Sequence, residues 1–368
     1  MDAMDPQTIA TWVAWGGLAI GLVFGWVAAL SNFCTMGALA DISNMGDWTR
    51  LRMWALAIAV AIAGAALIDV AYPGVLDASI YRATRLTWLS HGVGGTLFGC
   101  GMVLASGCGA KTLIRVGAGN LKSLVVAIVL AISADMALRG ALAPLRANVL
   151  DQISIDLGGP QDLGALLGSL SGHSAALLRA VLAIALAGAL AVFALWNESS
   201  RAPITVTGGV VTGLMVVAAW YVTGHIGYLP EHPDTLQPAW VGGNSGRPES
   251  ITFVGPQAYT LDLLLLWTDR SRVLTFGIAS VIGTVAGSAL HAIWTGRFRL
   301  EGFRDAEDTA SHLIGALLMG FGGVTALGCT VGQGIGGLST LAVGSFITLA
   351  AIILGALAAF RYLEWRWS

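Results

Sequence analysis

The fold is decided by the stretch His91-Gly-Val-Gly-Gly-Thr-Leu-Phe-Gly-Cys-Gly-Met-Val-Leu-Ala-Ser-Gly-Cys108, which recurs as His312-Leu-Ile-Gly-Ala-Leu-Leu-Met-Gly-Phe-Gly-Gly-Val-Thr-Ala-Leu-Gly-Cys329. The two segments are 221 residues apart, and nine of their 18 positions are identical, including both histidines, four glycines and the closing cysteine. Glycine and leucine match easily in apolar sequence, whereas the whole chain has only six His and four Cys. The sequence therefore predicts an internal repeat in which each copy ends an apolar segment at a cysteine.

The composition around these segments argues against a soluble protein. Hydrophobic residues make up 56% of the 368 residues, 49 residues are glycine, and only 11% are charged. Soluble domains have about 25% charged residues, so this chain could not cover a water-facing surface with polar side chains. The net charge is −2 and the basic residues are scattered, which gives no reason to expect binding to nucleic acid. We expect the chain to lie in a lipid bilayer.

About 20 apolar residues are needed to cross the hydrocarbon core of a membrane. Two polar stretches, 141–173 and 223–272, are each too short for a soluble domain, although the second could cap a vestibule. We therefore expect an all-α polytopic membrane protein with about nine transmembrane helices in a single transmembrane domain. The predicted spans are 12–30, 53–71, 88–106, 120–140, 174–196, 204–222, 273–294, 310–328 and 339–360.

A weaker similarity extends the repeat towards the N-terminus, because the glycines and leucine of 16–22 align with those of 208–214. Repeat one then covers about 12–140, a connector covers about 141–200, and repeat two covers about 204–360. Equivalent spans lie five apart, an odd number, so the second copy must cross the membrane in the opposite sense. Inverted repeats with glycine-interrupted segments at matching positions indicate a transport site between the two halves.

The distribution of Lys and Arg predicts the orientation, because cytoplasmic loops retain them. Eleven lie on the side of the C-terminus and of the loops after the odd-numbered spans, and seven lie on the other side. We expect the N-terminus outside and the C-terminus in the cytoplasm. The segment Met1–Ala10 has no Lys or Arg and so lacks the basic region of a signal peptide, and we expect the first apolar segment to be retained.

Three of the four cysteines interrupt an apolar span rather than lying within it. Cys100 lies in the middle of a span and aligns with Phe321, which is typical of packing. The spacing contains no Cys-x-x-Cys and no histidine at a zinc-ligand distance, so we expect no metal or other cofactor. The three interrupting strings are Ser31-Asn-Phe-Cys34-Thr-Met-Gly37, Ser106-Gly-Cys108-Gly-Ala-Lys111 and Leu327-Gly-Cys329-Thr-Val-Gly332.

A break of this kind inside lipid would leave backbone groups unpaired unless it lined a polar cavity. The N-terminus of the short helix after each break offers free N–H donors and partial positive charge. The sequence therefore predicts an anion site that contains the thiols of Cys34, Cys108 and Cys329. A neutral S–H donor suits an anion better than a thiolate, because two negative charges at contact repel by several kcal/mol even at an effective dielectric of ~20.

Neighbouring polar side chains complete the candidate binding site. Thr35, Thr330 and Gln333 follow two of the cysteines and offer hydrogen-bond donors. Lys111 and Arg115 share one face if their segment is helical, and they could either draw an anion inward or anchor the helix at the interface. The roles of three further residues stay open. His91 and His312 occupy matching positions in the repeat, and Asp135 lies inside a predicted span.

The strings Cys108–Leu124 and Gly328–Gly336, together with Ser31–Cys34, resemble the YeeE/YedE family of bacterial inner-membrane proteins. The similarity extends over nearly the whole chain, with little contribution from about 141–200. It implies uptake of thiosulfate into the cytoplasm past three cysteines at a central constriction, here Cys34, Cys108 and Cys329, often with a small TusA-like sulfur-carrier protein as partner. The family also includes members linked to other sulfur or selenium compounds, so these substrates stay open.

Two other classes of protein fit part of the pattern. A membrane sulfurtransferase or thiol oxidoreductase would form a persulfide or a disulfide on one of the cysteines. A soft-metal transporter would need a Met-rich or paired-cysteine motif, which the sequence lacks. The sequence has no nucleotide-binding motif, which argues against coupling to ATP. Downhill, proton-linked and acceptor-driven transport all remain compatible with the sequence. We expect a transporter rather than an enzyme.

Overall fold

The computed structural model describes residues 5–367, so the first four residues of the segment Met1–Ala10 lie outside the described residues, as does Ser368. The described chain is mainly helical. The helices are α1 (Pro6–Leu30), α2 (Thr35–Met45), α3 (Thr49–Ala71), α4 (Trp88–Leu104), α5 (Gly109–Gly117), α6 (Leu121–Leu138), α7 (Ala143–Leu145), α8 (Leu163–Ser171), α9 (Ala175–Leu195), α10 (Pro203–Tyr221), α11 (Gly255–Leu265), α12 (Phe276–Trp294), α13 (Ala306–Thr325) and α14 (Val343–Trp367).

Shorter elements connect these helices. The 3-10 segments are Ile80–Arg82 and Glu198–Arg201, and the π-helical segments are Arg146–Leu150, Val222–Ile226 and Gly332–Gly337. Two antiparallel pairs of two-residue strands close the loops: β1 (Arg85–Leu86) with β2 (Ile155–Asp156), and β3 (Tyr228–Leu229) with β4 (Ala239–Trp240).

The predicted spans coincide with long helices. Within residues 5–367, eight helical segments are long and apolar enough to cross a membrane, which confirms an all-α polytopic membrane protein. The remaining predicted span, 310–328, overlaps α13, a 20-residue helix that is not among the eight and whose first turn carries Glu307 and Asp308. Because α13 packs against α4 and α6, other helices cover part of its surface and it needs less apolar surface of its own.

The backbones of α4 and α13 touch at two pairs of glycines. An added Cβ on Gly94 would lie 2.7 Å from the Gly322 carbonyl oxygen, and one on Gly101 would lie 2.6 Å from the Gly315 oxygen. The reverse contacts, from Gly322 to Gly94 and from Gly315 to Gly101, measure 2.6 and 2.7 Å. The 221-residue offset exchanges the two pairs, as expected for equivalent segments that face each other. The inverted orientation of the complete repeats stays a prediction.

Helix α9 lies at the edge of the bundle. Only 6% of its apolar window is buried inside the protein, and it packs against α3 and α8. Its Arg179 forms ion pairs with Asp162 at 2.7 Å and with Asp77 at 3.1 Å. These charges attach a helix that otherwise exposes most of its surface to lipid.

The polar stretch 223–272 does not stay outside the bundle as its composition suggested. Ile251 and Phe253 are completely buried, and α11 follows and packs against α6 and α12. The apolar run around Ile251 and Phe253 is short and is followed by Gly255 and Pro256. A hydropathy average over about 20 residues therefore mixes this run with its polar neighbours. Residues 250–258 of this stretch therefore pack into the core rather than lying over it.

Candidate functional site

The three cysteines that interrupt spans follow one common backbone turn. Helices α1, α4 and α13 each end in a Schellman-type cap, in which an N–H bonds to the carbonyl five residues earlier, and the cysteine is the next residue. The bonds are Phe33 to Ala28 at 3.1 Å, Gly107 to Met102 at 2.8 Å and Gly328 to Gly323 at 2.7 Å. The turns contain a non-glycine residue with left-handed backbone, namely Asn32 (φ 53°), Ser106 (φ 56°) and Leu327 (φ 58°).

Two of the three sulfurs then accept a hydrogen bond from the next helical segment. Cys34 is the N-cap residue of α2, and its Sγ accepts the Gly37 N–H at 3.3 Å. Cys329 Sγ accepts the N–H of Gly332, the first residue of the π-helical segment, at 3.4 Å. The shared string Cys-Thr-x-Gly thus has a shared geometry. A thiol sulfur that accepts an N–H keeps its own hydrogen free for another acceptor.

The fold brings these three cysteines together from distant parts of the chain. Cys34, Cys108 and Cys329 are 6%, 3% and 0% exposed, and all three are free thiols. The Cys108 thiol lies near the thiols of both Cys34 and Cys329. Cys108 itself stands at the N-cap of α5. The result is one buried group of three thiols on three backbone turns.

Buried hydroxyl groups adjoin the thiols. Thr330 is completely buried and its hydroxyl approaches the Cys108 thiol, but within the described residues its Oγ1 completes no well-formed hydrogen bond with the thiol or any other atom. Thr35 begins α2 directly after Cys34 and is 4% exposed. An unpaired buried hydroxyl costs free energy, so the environment of Thr330 fits a position that binds something else.

Cationic groups lie on the side of Cys34 and Cys108. Lys111 donates from Nζ to Asn32 Oδ1 at 2.5 Å and interacts electrostatically with both thiols. Arg115 lies one turn further along the same face of α5 and donates to the Ser106 carbonyl at 2.8 Å. Charges in a poorly solvated site act strongly on an anion.

Gln333 is fully buried, and both ends of its amide bond to protein atoms. Nε2 donates to the Ala326 carbonyl at 2.6 Å, and Oε1 accepts the Ser345 hydroxyl at 2.6 Å. Ala326 is the C-cap residue of α13, so Gln333 holds the turn that carries Cys329. Its direct contact with a substrate stays a prediction.

The other polar residues singled out in the sequence bind partners of their own. Cys100 donates to the Gly355 carbonyl at 3.2 Å, between α4 and α14. His91 Nδ1 lies 2.7 Å from the Thr348 hydroxyl, and His312 Nδ1 lies 2.7 Å from the Asp308 carbonyl. Asp135 forms an ion pair with Arg139 at 2.9 Å.

Three residues near the thiols were not singled out from the sequence. Thr252 Oγ1 lies 3.8 Å from Cys329 Sγ, and Tyr81 interacts electrostatically with the Cys329 thiol. Burial raises the pKa of Tyr81, so its phenol stays protonated. Arg50 forms an ion pair with Asp41 at 3.1 Å beside the turn of Cys34. The only sequence signal for Thr252 was the short apolar run around it.

Comparisons with known proteins give matches over nearly the whole chain. A family model described as "Sulphur transport" matches residues 30–358. The chain is 25% identical to "Thiosulfate transporter TsuA" of Escherichia coli (strain K12) over 356 residues, which covers 92% of this chain and 91% of that protein. It is 24% identical to "Thiosulfate transporter TsuA" of Spirochaeta thermophila over 348 residues, which covers 93% and 96% of the two chains.

Proposed function

Because the chain belongs to the sulphur-transport family, we propose that it takes thiosulfate into the bacterial cytoplasm past the buried thiols of Cys34, Cys108 and Cys329. The observation that carries the proposal is the burial of three free thiols, each placed directly after the same kind of helix-ending turn, with Cys108 near both of the others. The names of the two similar transporters support thiosulfate as substrate rather than another sulfur or selenium compound. The protein then lies in the inner membrane, with the N-terminus outside and the C-terminus in the cytoplasm.

Thiosulfate has a soft terminal sulfur and a hard, oxygen-rich end. Because Cys34 and Cys329 accept backbone N–H groups at sulfur, their own hydrogens are free, and the thiols act as neutral S–H donors to the anion. The hydroxyls of Thr35 and Thr330 bind the oxygen-rich end, while Gln333 keeps its turn in place. Lys111 and Arg115 supply the attraction for negative charge. Sulfate lacks the soft end and is the poorer substrate.

The inferred orientation gives the thiols an order. Cys329 lies towards the outside and meets the anion first, Cys108 receives it, and Cys34 passes it towards the cytoplasm. The anion moves intact with no covalent step, so the protein is not an enzyme. A TusA-like carrier in the cytoplasm that consumes the delivered sulfur would keep the flow directed inward.

Growth on thiosulfate as sole sulfur source, in a host that lacks its own uptake systems, tests the proposal. We expect Cys34→Ala, Cys108→Ala and Cys329→Ala each to abolish growth. Cys100→Ala is the matched control, because its sulfur contacts Gly355 rather than the other thiols, and it should grow normally. Normal growth of all three variants would contradict the proposal, provided that immunoblots show equal amounts of protein in the membrane.

Intact-protein mass spectrometry after incubation with thiosulfate separates conduction from chemistry. Conduction leaves the chain unmodified. A sulfurtransferase gains the mass of one sulfur atom on a cysteine, and a thiol oxidoreductase loses two hydrogens when a disulfide forms. Either gain or loss, at the rate of uptake, would replace the proposed mechanism with a covalent one.

A further inference from the structure

A second group of cations lies beside the thiol site and shares only Arg115 with it. A cavity of about 420 Å³ opens between α5, α6 and the segment that joins α12 to α13. Lys122 in this cavity is paired with Asp308 at 2.7 Å. In the described part of the chain, no ion pair is formed by the four arginines that line the cavity, Arg115, Arg297, Arg299 and Arg304.

The carboxylates of the cavity do not neutralise these four guanidinium groups. Asp308 is engaged by Lys122, which leaves Glu301 as the one other carboxylate, and its Oε2 accepts the Asn120 amide at 2.9 Å. Four arginines against one carboxylate leave an excess of three positive charges. Such an excess in a concave site attracts anions strongly.

The backbone that carries the arginines is held in place. The Arg299 N–H bonds to the Ala118 carbonyl at 3.1 Å, and the Leu121 N–H bonds to the Glu301 carbonyl at 2.9 Å. The segment therefore runs alongside the junction of α5 and α6 as a short extended pairing. Guanidinium groups on a fixed backbone lose less freedom when they bind a ligand.

Helix α5 connects this cavity to the thiols. Lys111 interacts with Cys34 and Cys108, and Arg115, four residues later on the same face, lines the cavity. One helical turn is about 5.4 Å long, so an anion near Lys111 is a short step from Arg115.

We propose that this cavity is a second anion site, which holds a divalent tetrahedral oxyanion. The planar fork of arginine matches two oxygens of such an ion, and several arginines together favour a double charge. Thiosulfate that leaves the thiols and inorganic phosphate are ions of this kind, whereas the phosphate diester of an anionic lipid shares the tetrahedral oxygens but carries a single charge. Only the role of the cavity as an exit station rests on the proposed function, because the charges themselves do not depend on what is transported.

Binding to the purified full chain tests the site directly. The protein carries Cys34→Ala, Cys108→Ala and Cys329→Ala, which removes the thiol site, and is placed in phosphatidylcholine nanodiscs. We expect one salt-sensitive site for radiolabelled thiosulfate that inorganic phosphate displaces. Adding Arg299→Gln and Arg304→Gln, two exposed side chains, should weaken binding by at least about tenfold, since two charge-assisted contacts are lost.

The control variant pairs Arg247→Gln with Arg361→Gln, which removes two exposed arginines elsewhere and should leave binding unchanged. If phosphatidylglycerol in the nanodiscs blocks thiosulfate and copurifies with the protein, the occupant is a lipid phosphate; if only free phosphate competes, it is a soluble ion. Absence of binding, or equal binding in both arginine pairs, would overturn the proposal. Growth on thiosulfate with the same two arginine pairs, placed in the chain that keeps its native cysteines, reports on transport separately, so the failure of one idea is distinguishable from that of the other.

Discussion

A buried hydroxyl without a partner lowers stability, and Thr330 keeps such a group beside Cys108. Thr212 on α10 provides a matched comparison, because it is also buried with an unpaired Oγ1 but is not among the groups that interact with the thiols. Binding of the oxygen-rich end of the substrate by the Thr330 hydroxyl would account for this loss of folding stability.

Replacing this hydroxyl should therefore separate function from stability. We expect Thr330→Val to leave the unfolding midpoint unchanged or higher, and to lower thiosulfate uptake about tenfold, since one hydrogen bond to a charged ligand is worth about 1.5–3 kcal/mol. Thr212→Val should have the same effect on stability and none on uptake. Radiotracer uptake in proteoliposomes and thermal unfolding give the two readouts, and equal uptake in both variants would remove Thr330 from the site.

Glu249 is a second residue whose environment is unfavourable. Its Oε1 is buried without a well-formed hydrogen bond in the described chain, and its Oε2 accepts the Ser245 hydroxyl at 3.2 Å. Burial raises the pKa of Glu249 from 4.5 to about 7. Tyr81 and Tyr259 are the titratable groups that interact with it, and Tyr81 also interacts with the Cys329 thiol.

The sign of the effect on stability follows from this pKa. Between the unfolded value of 4.5 and the folded value of about 7, the folded protein binds more protons, so stability falls as pH rises through this window. We expect Glu249→Gln to flatten the dependence of the unfolding midpoint on pH, whereas Glu231→Gln, on the exposed surface, should follow the wild type. If Glu249→Gln keeps the full decline of the unfolding midpoint between these pH values, other groups cause the decline.

At the level of elements, the contacts of α4 depend on glycine. An added Cβ on Gly99 would lie 2.1 Å from the Ile352 carbonyl oxygen of α14, whereas one on Gly92 would have no atom within 4 Å. Both residues belong to the same helix, so their intrinsic helix propensities cancel in the comparison.

We therefore expect opposite effects of the same substitution at these positions. Gly99→Ala forces α4 and α14 apart and should destabilise the protein by about 1–3 kcal/mol. Gly92→Ala should be neutral or stabilise by up to about 1 kcal/mol, because alanine is the better helix former. Unfolding midpoints in detergent provide the measurement, and equal midpoints for the two variants would show that the helices separate without cost.

The elements also show what the sequence could and could not predict. Hydropathy located the long helices, and the rarity of cysteine and histidine made the matched ends of α4 and α13 visible. The turns themselves were harder, because Asn32 and Leu327 adopt left-handed backbone without being glycine. The position of Thr252 was hidden, since a short buried segment next to α11 is averaged away in a window long enough to detect a span.

For the whole molecule, the orientation in the membrane can be tested with single cysteines. All four native cysteines are replaced by alanine, and an exposed residue is changed to cysteine, either Glu231→Cys or Glu198→Cys. With the N-terminus outside, an impermeant maleimide should label Glu231→Cys in intact cells, and should label Glu198→Cys only after permeabilisation. The reverse pattern would invert the protein and the proposed order of the thiols.

The reciprocal glycine contacts between α4 and α13 also constrain how the molecule can move. Two backbones that touch through paired carbonyl oxygens leave no layer of side chains along which the halves could slide. A large rocking movement of one half against the other would break the glycine contacts between α4 and α13. We therefore expect gating to be confined to the short cysteine turns. The pathway would then stay narrow and open only by local movement at these turns. The rate of transport would depend on the residence time of the anion at each sulfhydryl.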